Sequence, residues 1–217
     1  MYRNFQFSIG EFYHVYNRGA DKRVIFLDDD DKRRFAKLLF LCNSNNSVVF
    51  KEIPIENVFR VNRKSRLIDI GSYTLMPNHF HLLVREKVED GTSKFMKKLS
   101  TAYAMYFNLK NKRTGSLFEG PFKAQYVDGD QYLEYLYSYI HLNPVKIIEP
   151  KWKEQGIKNV KRAKRYVQEY PYSSYADLIG REREESVILN TEAFPRYFSK
   201  PKDFESLVRQ FLQYEDK

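Results

Sequence analysis

One cysteine, Cys42, is the whole thiol inventory of this 217-residue chain, which excludes an internal disulfide and any zinc site built from several thiolates. No run approaches the roughly eighteen apolar residues of a membrane-spanning helix, so no membrane partner is expected. Met1 to Gly10 mixes charge and aromatics without an apolar stretch; no signal peptide is expected, and a cytoplasmic protein is predicted. Internal repeats and low-complexity tracts are absent. Acidic residues are in deficit, with 28 Asp and Glu against 37 Lys and Arg, a formal net charge of +9. Such an excess suits a polyanionic partner, because cations on a protein release counterions from phosphates. Histidine is scarce too, at four residues.

Two of the four stand in His79-Phe80-His81, followed by the apolar run Leu82 to Val84 and preceded by Met76 and Pro77. Strand side chains alternate, so His79 and His81 share a face at a Cα spacing of roughly 6.7 Å while Phe80 turns to the core. That geometry offers two imidazoles to one metal ion. Downstream, Asp130 to Val145 has helical spacing of apolar and aromatic residues, with Pro144 expected to end or kink the helix. Tyr135, Tyr139 and Asn143 form an i, i+4, i+8 row, so a phenol and a carboxamide share one patch. Hard divalent ions accept amide oxygen, and Asn143 completes a His, His, Asn donor set for Mg2+ or Mn2+ beside a tyrosine hydroxyl. Such a set suits phosphate chemistry.

The remaining pattern predicts one compact catalytic domain over residues 1–148 and a basic, mainly helical C-terminal extension over 149–217. Strand-like Phe12 to Asn17 leads into a helix over Asp28 to Asn43, in which Cys42 packs as a small apolar residue. Ser44 to Asn62 reads as a loop with a short strand or turn. Arg66 to Leu75 and His79 to Arg85 are neighbouring strands joined near Pro77-Asn78, and a helix capped by Thr92 or Ser93 runs to about Lys110. Phe122 to Val127 is a fourth strand, Gln131 to Leu142 the tyrosine helix, and Asp203 to Tyr214 a terminal helix. The order βαββαβα is that of an α+β protein with an antiparallel sheet and helices on one face.

Four segments, Tyr13-His-Val-Tyr-Asn-Arg-Gly19, Met76-Pro-Asn-His-Phe-His81, Gly115-Ser-Leu-Phe-Glu-Gly-Pro-Phe122 and Tyr139-Ile-His-Leu-Asn-Pro-Val145, occur in the order found in a known family. Over about Phe12 to Lys146 the chain resembles the HUH single-strand DNA transposases with one catalytic tyrosine, the IS200/IS605-like group and especially its repetitive-element-associated members. The resemblance implies the ferredoxin-like HUH endonuclease fold with the histidines on a central strand. It implies that His79 and His81 bind the metal, that Tyr139 is the nucleophile and Asn143 the third ligand, and that Arg18 is open to a substrate-contacting role. It further implies attachment to the 5′ phosphate of single-stranded, hairpin-bearing DNA and association with the nucleoid. Whether the protein acts as a monomer or a homodimer is left open.

Other residues keep two readings at this stage. Lys161, Arg162, Lys164 and Arg165 follow the tyrosine helix as a basic run, either a phosphate-tracking patch or a solvated surface. His14 reads as a satisfied structural histidine, with approach to metal or DNA as the alternative. His141, about 200° around the helix from Tyr139, points away from it. Glu119 and Gln125 have no assignable role. Beside the strand transferase, a nuclease using water at the same metal and a noncatalytic single-strand-binding module both fit the residues.

Overall fold

The structure, a computed structural model, describes residues 5–46, 53–195 and 204–215. Strands β1 (Phe12–Arg18), β2 (Ile68–Met76), β3 (His79–Glu86) and β4 (Lys123–Tyr126) form one antiparallel sheet in the order β2-β3-β1-β4. Helix α1 (Asp29–Leu41) connects β1 to β2, α2 (Gly91–Lys110) connects β3 to β4, and α3 (Asp130–Leu142) follows β4. The βαββαβα order is therefore observed, and the strand that carries both histidines is interior, flanked by β2 and β1.

Alternation along the strands sorts the two faces. Tyr13 and Val15 of β1 and Phe80, Leu82 and Val84 of β3 meet Phe35 and Leu39 of α1 and Phe95, Leu99 and Tyr103 of α2 in one buried cluster. Each such side chain contributes about 1.5–3 kcal/mol by leaving water. The opposite face carries His79, His81 and Leu83, and Leu83 packs in a second cluster with Leu133, Leu136 and Ile140 of α3. In β2 the two-residue repeat breaks: Ile68 and Ile70, then Tyr73 and Leu75, reach the first cluster, because a bulge lies between Ile70 and Ser72. Gly71 sits at that bulge, where a Cβ would stand 2.6 Å from the Phe194 ring.

Local chemistry explains the helix starts. Asp28 caps α1 by accepting from the Asp31 amide at 2.9 Å. The cap expected from Thr92 or Ser93 on α2 is not formed that way: Asp90 occupies the N-cap position at φ 56, and the buried Glu86 carboxylate accepts from the Thr92 amide at 2.9 Å. The end of β3 thus supplies, as a carboxylate, the acceptor that a local hydroxyl was expected to provide. Cys42 closes α1 in the core, where burial pushes its thiol up to about 12. Of Ser44 to Asn62, residues 47–52 lie outside the described residues, and a 3-10 turn occupies Ile55–Arg60.

The segment after α3 is helical but short-ranged: α4 (Val145–Ile148), α5 (Trp152–Gln155), α6 (Val160–Glu169), α7 (Tyr175–Leu178) and α8 (Phe204–Glu215). Asp203, where the terminal helix was expected to begin, lies outside the described residues. Trp152, Val167, Phe204 and Leu207 bury themselves with α3 in the second cluster. Residues before α7 line the free edge of β2, with Leu75 donating to the Tyr172 carbonyl and Ser174 to the Tyr73 carbonyl, both at 2.9 Å. Among the described residues no helix is long and apolar enough to cross a membrane.

Candidate functional site

Pro77 and Asn78 make the two-residue connection between β2 and β3, with Met76 opposite His79 in register. The loop after β1 clasps this turn: Gly19 donates to the Asn78 carbonyl at 2.9 Å and Ile25 to the Pro77 carbonyl at 2.9 Å. Gly19 has to lack a side chain, since a Cβ there would meet the Arg23 carbonyl at 2.3 Å. The Asn78 side-chain oxygen lies 2.6 Å from His79 Nδ1. With Nδ1–H donating to that oxygen, the lone pair of the neutral ring resides on Nε2.

His79 and His81 stand on one face with ring centroids 5.0 Å apart. Burial pushes His79 down to about 4 and His81 well below the usual imidazole value, so both rings are neutral near pH 7. The third strand residue in this cluster is His14 of β1, whose Nε2 is 2.8 Å from His81 Nδ1, across a diagonal of the β1–β3 pairing. The reading of His14 as a satisfied structural histidine agrees with this bond, and its partner is a residue of the candidate site. His14 is buried, its pKa is pushed down to about 3 by that burial, and it holds the ring of His81 from behind. His141 does point away, bonding the Tyr137 carbonyl and the Ser174 hydroxyl.

Helix α3 lies over this face. Asn143 and Pro144 both keep right-handed helical angles beyond its last turn, so Pro144 opens α4 without displacing Asn143 from the Tyr139 row. The Tyr139 ring is 5.4 Å from that of His81 and 6.2 Å from that of His14, each edge to face. It stacks on Tyr135 at 6.2 Å and lies 6.5 Å from Phe211 of α8, while the Lys153 ammonium sits 3.8 Å over its centroid. Asn143 is buried at 2 % exposure with its side chain against His79, and its Nδ2 has no partner. Tyr137, by contrast, is buried against His141 with ring centroids 4.4 Å apart.

These residues fit a divalent ion. Two nitrogens ligating one ion at about 2.1 Å and a right angle hold their ring centroids roughly 4.6 Å apart, near the separation seen here. The carboxamide oxygen of Asn143, not its unpartnered nitrogen, is the atom that would ligate a cation, and the buried side chain stands against His79 beside the two imidazoles. Among the described residues no group of three His, Cys, Asp or Glu is arranged to hold a metal, so an ion at this place would depend on the asparagine oxygen as well as the two imidazoles.

A cleft of about 760 Å³ opens in front of His79, His81 and Tyr139. Its walls carry Arg18, Lys22, Lys123 and Lys146 with Tyr16, Met76 and Ile147. Arg18 lines the cleft and is held by Glu119 through two hydrogen bonds at 3.1 and 3.0 Å. The three lysines come from three separate segments and carry no motif. The basic run on α6 does not line this cleft: Lys164 pairs with Glu205 at 2.8 Å and Arg165 with Glu169 at 2.9 Å, while Lys161 and Arg162 face solvent.

The profile of a family described as IS200-like transposase matches residues 13–143. Among solved structures the chain is similar to a REP-associated tyrosine transposase bound to a REP hairpin, with a TM-score of 0.52 and 14% identity, covering 94% of this chain and 92% of that one. At that identity the likeness is one of fold. No match to a curated protein was found. The matched span begins in the first strand and ends on the residue that closes the tyrosine helix, and on that ground this chain belongs to the IS200-like transposase family.

Proposed function

We propose that this protein is a metal-dependent strand transferase for single-stranded DNA, cleaving through a covalent 5′-phosphotyrosine on Tyr139. The observation that carries the reading is the approach of the Tyr139 ring to 5.4 Å from His81, with both residues and His79 lining one cleft. The phenolic oxygen of Tyr139 attacks phosphorus and releases its proton to solvent as the P–O3′ bond breaks. The departing 3′ oxygen takes up a proton and leaves as a hydroxyl. Because the new phosphodiester retains the bond energy of the old one, a 3′-hydroxyl can reverse the step and join another strand. A divalent ion, Mg2+ or Mn2+, held by His79, His81 and Asn143 would supply Lewis-acid polarisation of a non-bridging oxygen.

The chain's own residues do the rest. Asn78 and His14 orient the two imidazoles through the hydrogen bonds on their Nδ1 atoms. Lys22, Lys123 and Lys146 set positive charge along the cleft for the sugar-phosphate strand, and Tyr16 and Ile147 offer surfaces to unpaired bases. Arg18 joins them when it is released from Glu119. The α6 run of Lys161, Arg162, Lys164 and Arg165 serves DNA outside the cleft. A hairpin-bearing strand is the substrate, a reading supported by the REP hairpin bound to the similar transposase.

The test is incubation with single-stranded DNA from the flanks of its own gene and Mg2+, followed by a denaturing gel. A protein–DNA adduct together with a fragment ending in a free 3′-hydroxyl is expected. Cleavage without an adduct would instead identify a hydrolytic nuclease, and binding without cleavage a noncatalytic module.

A further inference from the structure

Helix α5 has no part in the chemistry above, yet it sets an ammonium against the nucleophile. Trp152 is 3 % exposed, with its ring 4.7 Å from Phe211, which fixes the backbone of α5 on α8. The next residue, Lys153, carries its Nζ to 3.8 Å from the Tyr139 ring centroid. His14, His79 and His81 all feel this positive charge, which adds to burial in opposing their protonation. Lys153 forms no ion pair among the described residues, unlike Lys164 of the same segment, which meets Glu205 at 2.8 Å. A cation beside three imidazoles, without an acid to balance it, is a place where an anion is missing.

We propose that Lys153 is a phosphate-binding residue of the strand-transfer site, meeting a non-bridging oxygen of the scissile phosphate as it comes against Tyr139. The inference rests on Tyr139 being the nucleophile. A phosphate poised for attack lies about 3–3.5 Å from the phenolic oxygen, and the solvent-facing lysine stem has free torsions to bring its ammonium from the ring face to that phosphate. A lysine also suits a group that changes shape, because a point charge tolerates the inversion at phosphorus better than a fixed fork does. No bond to Lys153 forms or breaks; it offsets negative charge while Tyr139 gains the P–O bond and the 3′ oxygen leaves. Lys153 lies beyond the family span 13–143, so the C-terminal segment would complete a site whose other parts precede it.

The experiment measures single-turnover adduct formation on a single-stranded oligonucleotide from the flanks of the gene, with Mg2+, for the full chain. Lys153→Gln and Lys153→Met are expected to lower the rate constant on the order of 10- to 100-fold, the worth of a charge-assisted hydrogen bond in the transition state. The oligonucleotide concentration at half-maximal rate should move less than about 3-fold, and Lys153→Arg should recover most of the rate. Lys97→Gln, an exposed lysine on α2, should behave as the unaltered protein. The methionine variant keeps the aliphatic contact with the ring, so a wild-type rate there would mean packing alone and overturn the proposal. A loss confined to half-saturation would reduce Lys153 to an ordinary backbone contact and overturn it too. An unaltered protein that gives no adduct would sink this inference together with the strand-transferase reading; an adduct that Lys153→Gln forms equally fast would sink the inference alone.

Discussion

Replacing Tyr139 by Phe separates the chemistry of this site from its structure. The ring of Tyr139 stacks on Tyr135 at 6.2 Å, lies 6.5 Å from Phe211 and carries Lys153 at 3.8 Å over its face, and each of these contacts belongs to the ring. Its hydroxyl makes no hydrogen bond among the described residues, so its loss strands no buried partner. The stability change should stay within about 0.5 kcal/mol, which moves the thermal midpoint by no more than about 2 °C. Adduct formation, in contrast, loses the atom that bonds to phosphorus and should fall by on the order of 10⁴-fold or more. Tyr132→Phe and Tyr135→Phe should retain the adduct, since the chemistry needs one phenol and Tyr139 is the one whose ring lies 5.4 Å from that of His81. Tyr137→Phe should retain it as well, because Tyr137 is buried against His141 on another side of the helix. Thermal melts and peptide mapping of the trapped DNA measure both sides of the comparison. An adduct on a different tyrosine would refute the assignment, and strand cleavage undiminished in Tyr139→Phe would refute covalent catalysis by this residue.

His79→Ala and His81→Ala should each abolish cleavage with the fold retained, and denaturant unfolding should rank them. His81→Ala leaves the buried nitrogen of His14 without its 2.8 Å partner, a cost of about 1–3 kcal/mol, whereas His79 borders the open cleft and should cost less; equal cleavage by both variants and the unaltered protein would end the metal-site reading. His14→Ala removes the group behind His81 and should weaken Mn2+ binding about 10- to 100-fold in a calorimetric titration; unchanged affinity would return His14 to a packing role. For DNA, replacing Lys22, Lys123 and Lys146 together should reduce the salt slope of single-strand binding by about 2, and replacing Lys161 and Arg162 by about 1.4, if each contacts one phosphate. A slope left unaltered by the second pair would mark the α6 run as solvated surface.

Short-range geometry made much of this protein readable from its residues. The alternation of a strand puts His79 and His81 on one face wherever that strand lies, and the i, i+4 spacing puts Tyr139 and Asn143 on one row of any helix that contains them. Pro77-Asn78 between two apolar runs announces a hairpin, and the acidic start of α1 announces its cap. The strand order, with β3 interior, and the placement of α3 over the histidine face depend on how these elements pack, and periodicity does not encode that. The bond between His14 and His81 joins residues 67 apart through a diagonal of two strands. The carboxylate that closes the start of α2 comes from Glu86 at the end of β3, not from the helix's own first residues. Lys22, Lys123 and Lys146 form one cleft wall from three separate segments, and Lys153 arrives over Tyr139 because Trp152 is buried against α8. Residues that act through their neighbours in the chain declare themselves in the sequence. Those that act through a partner brought in from far along the chain acquire their roles when the sheet, α3 and the C-terminal helices close on one another, since burial and long-range packing set those meetings.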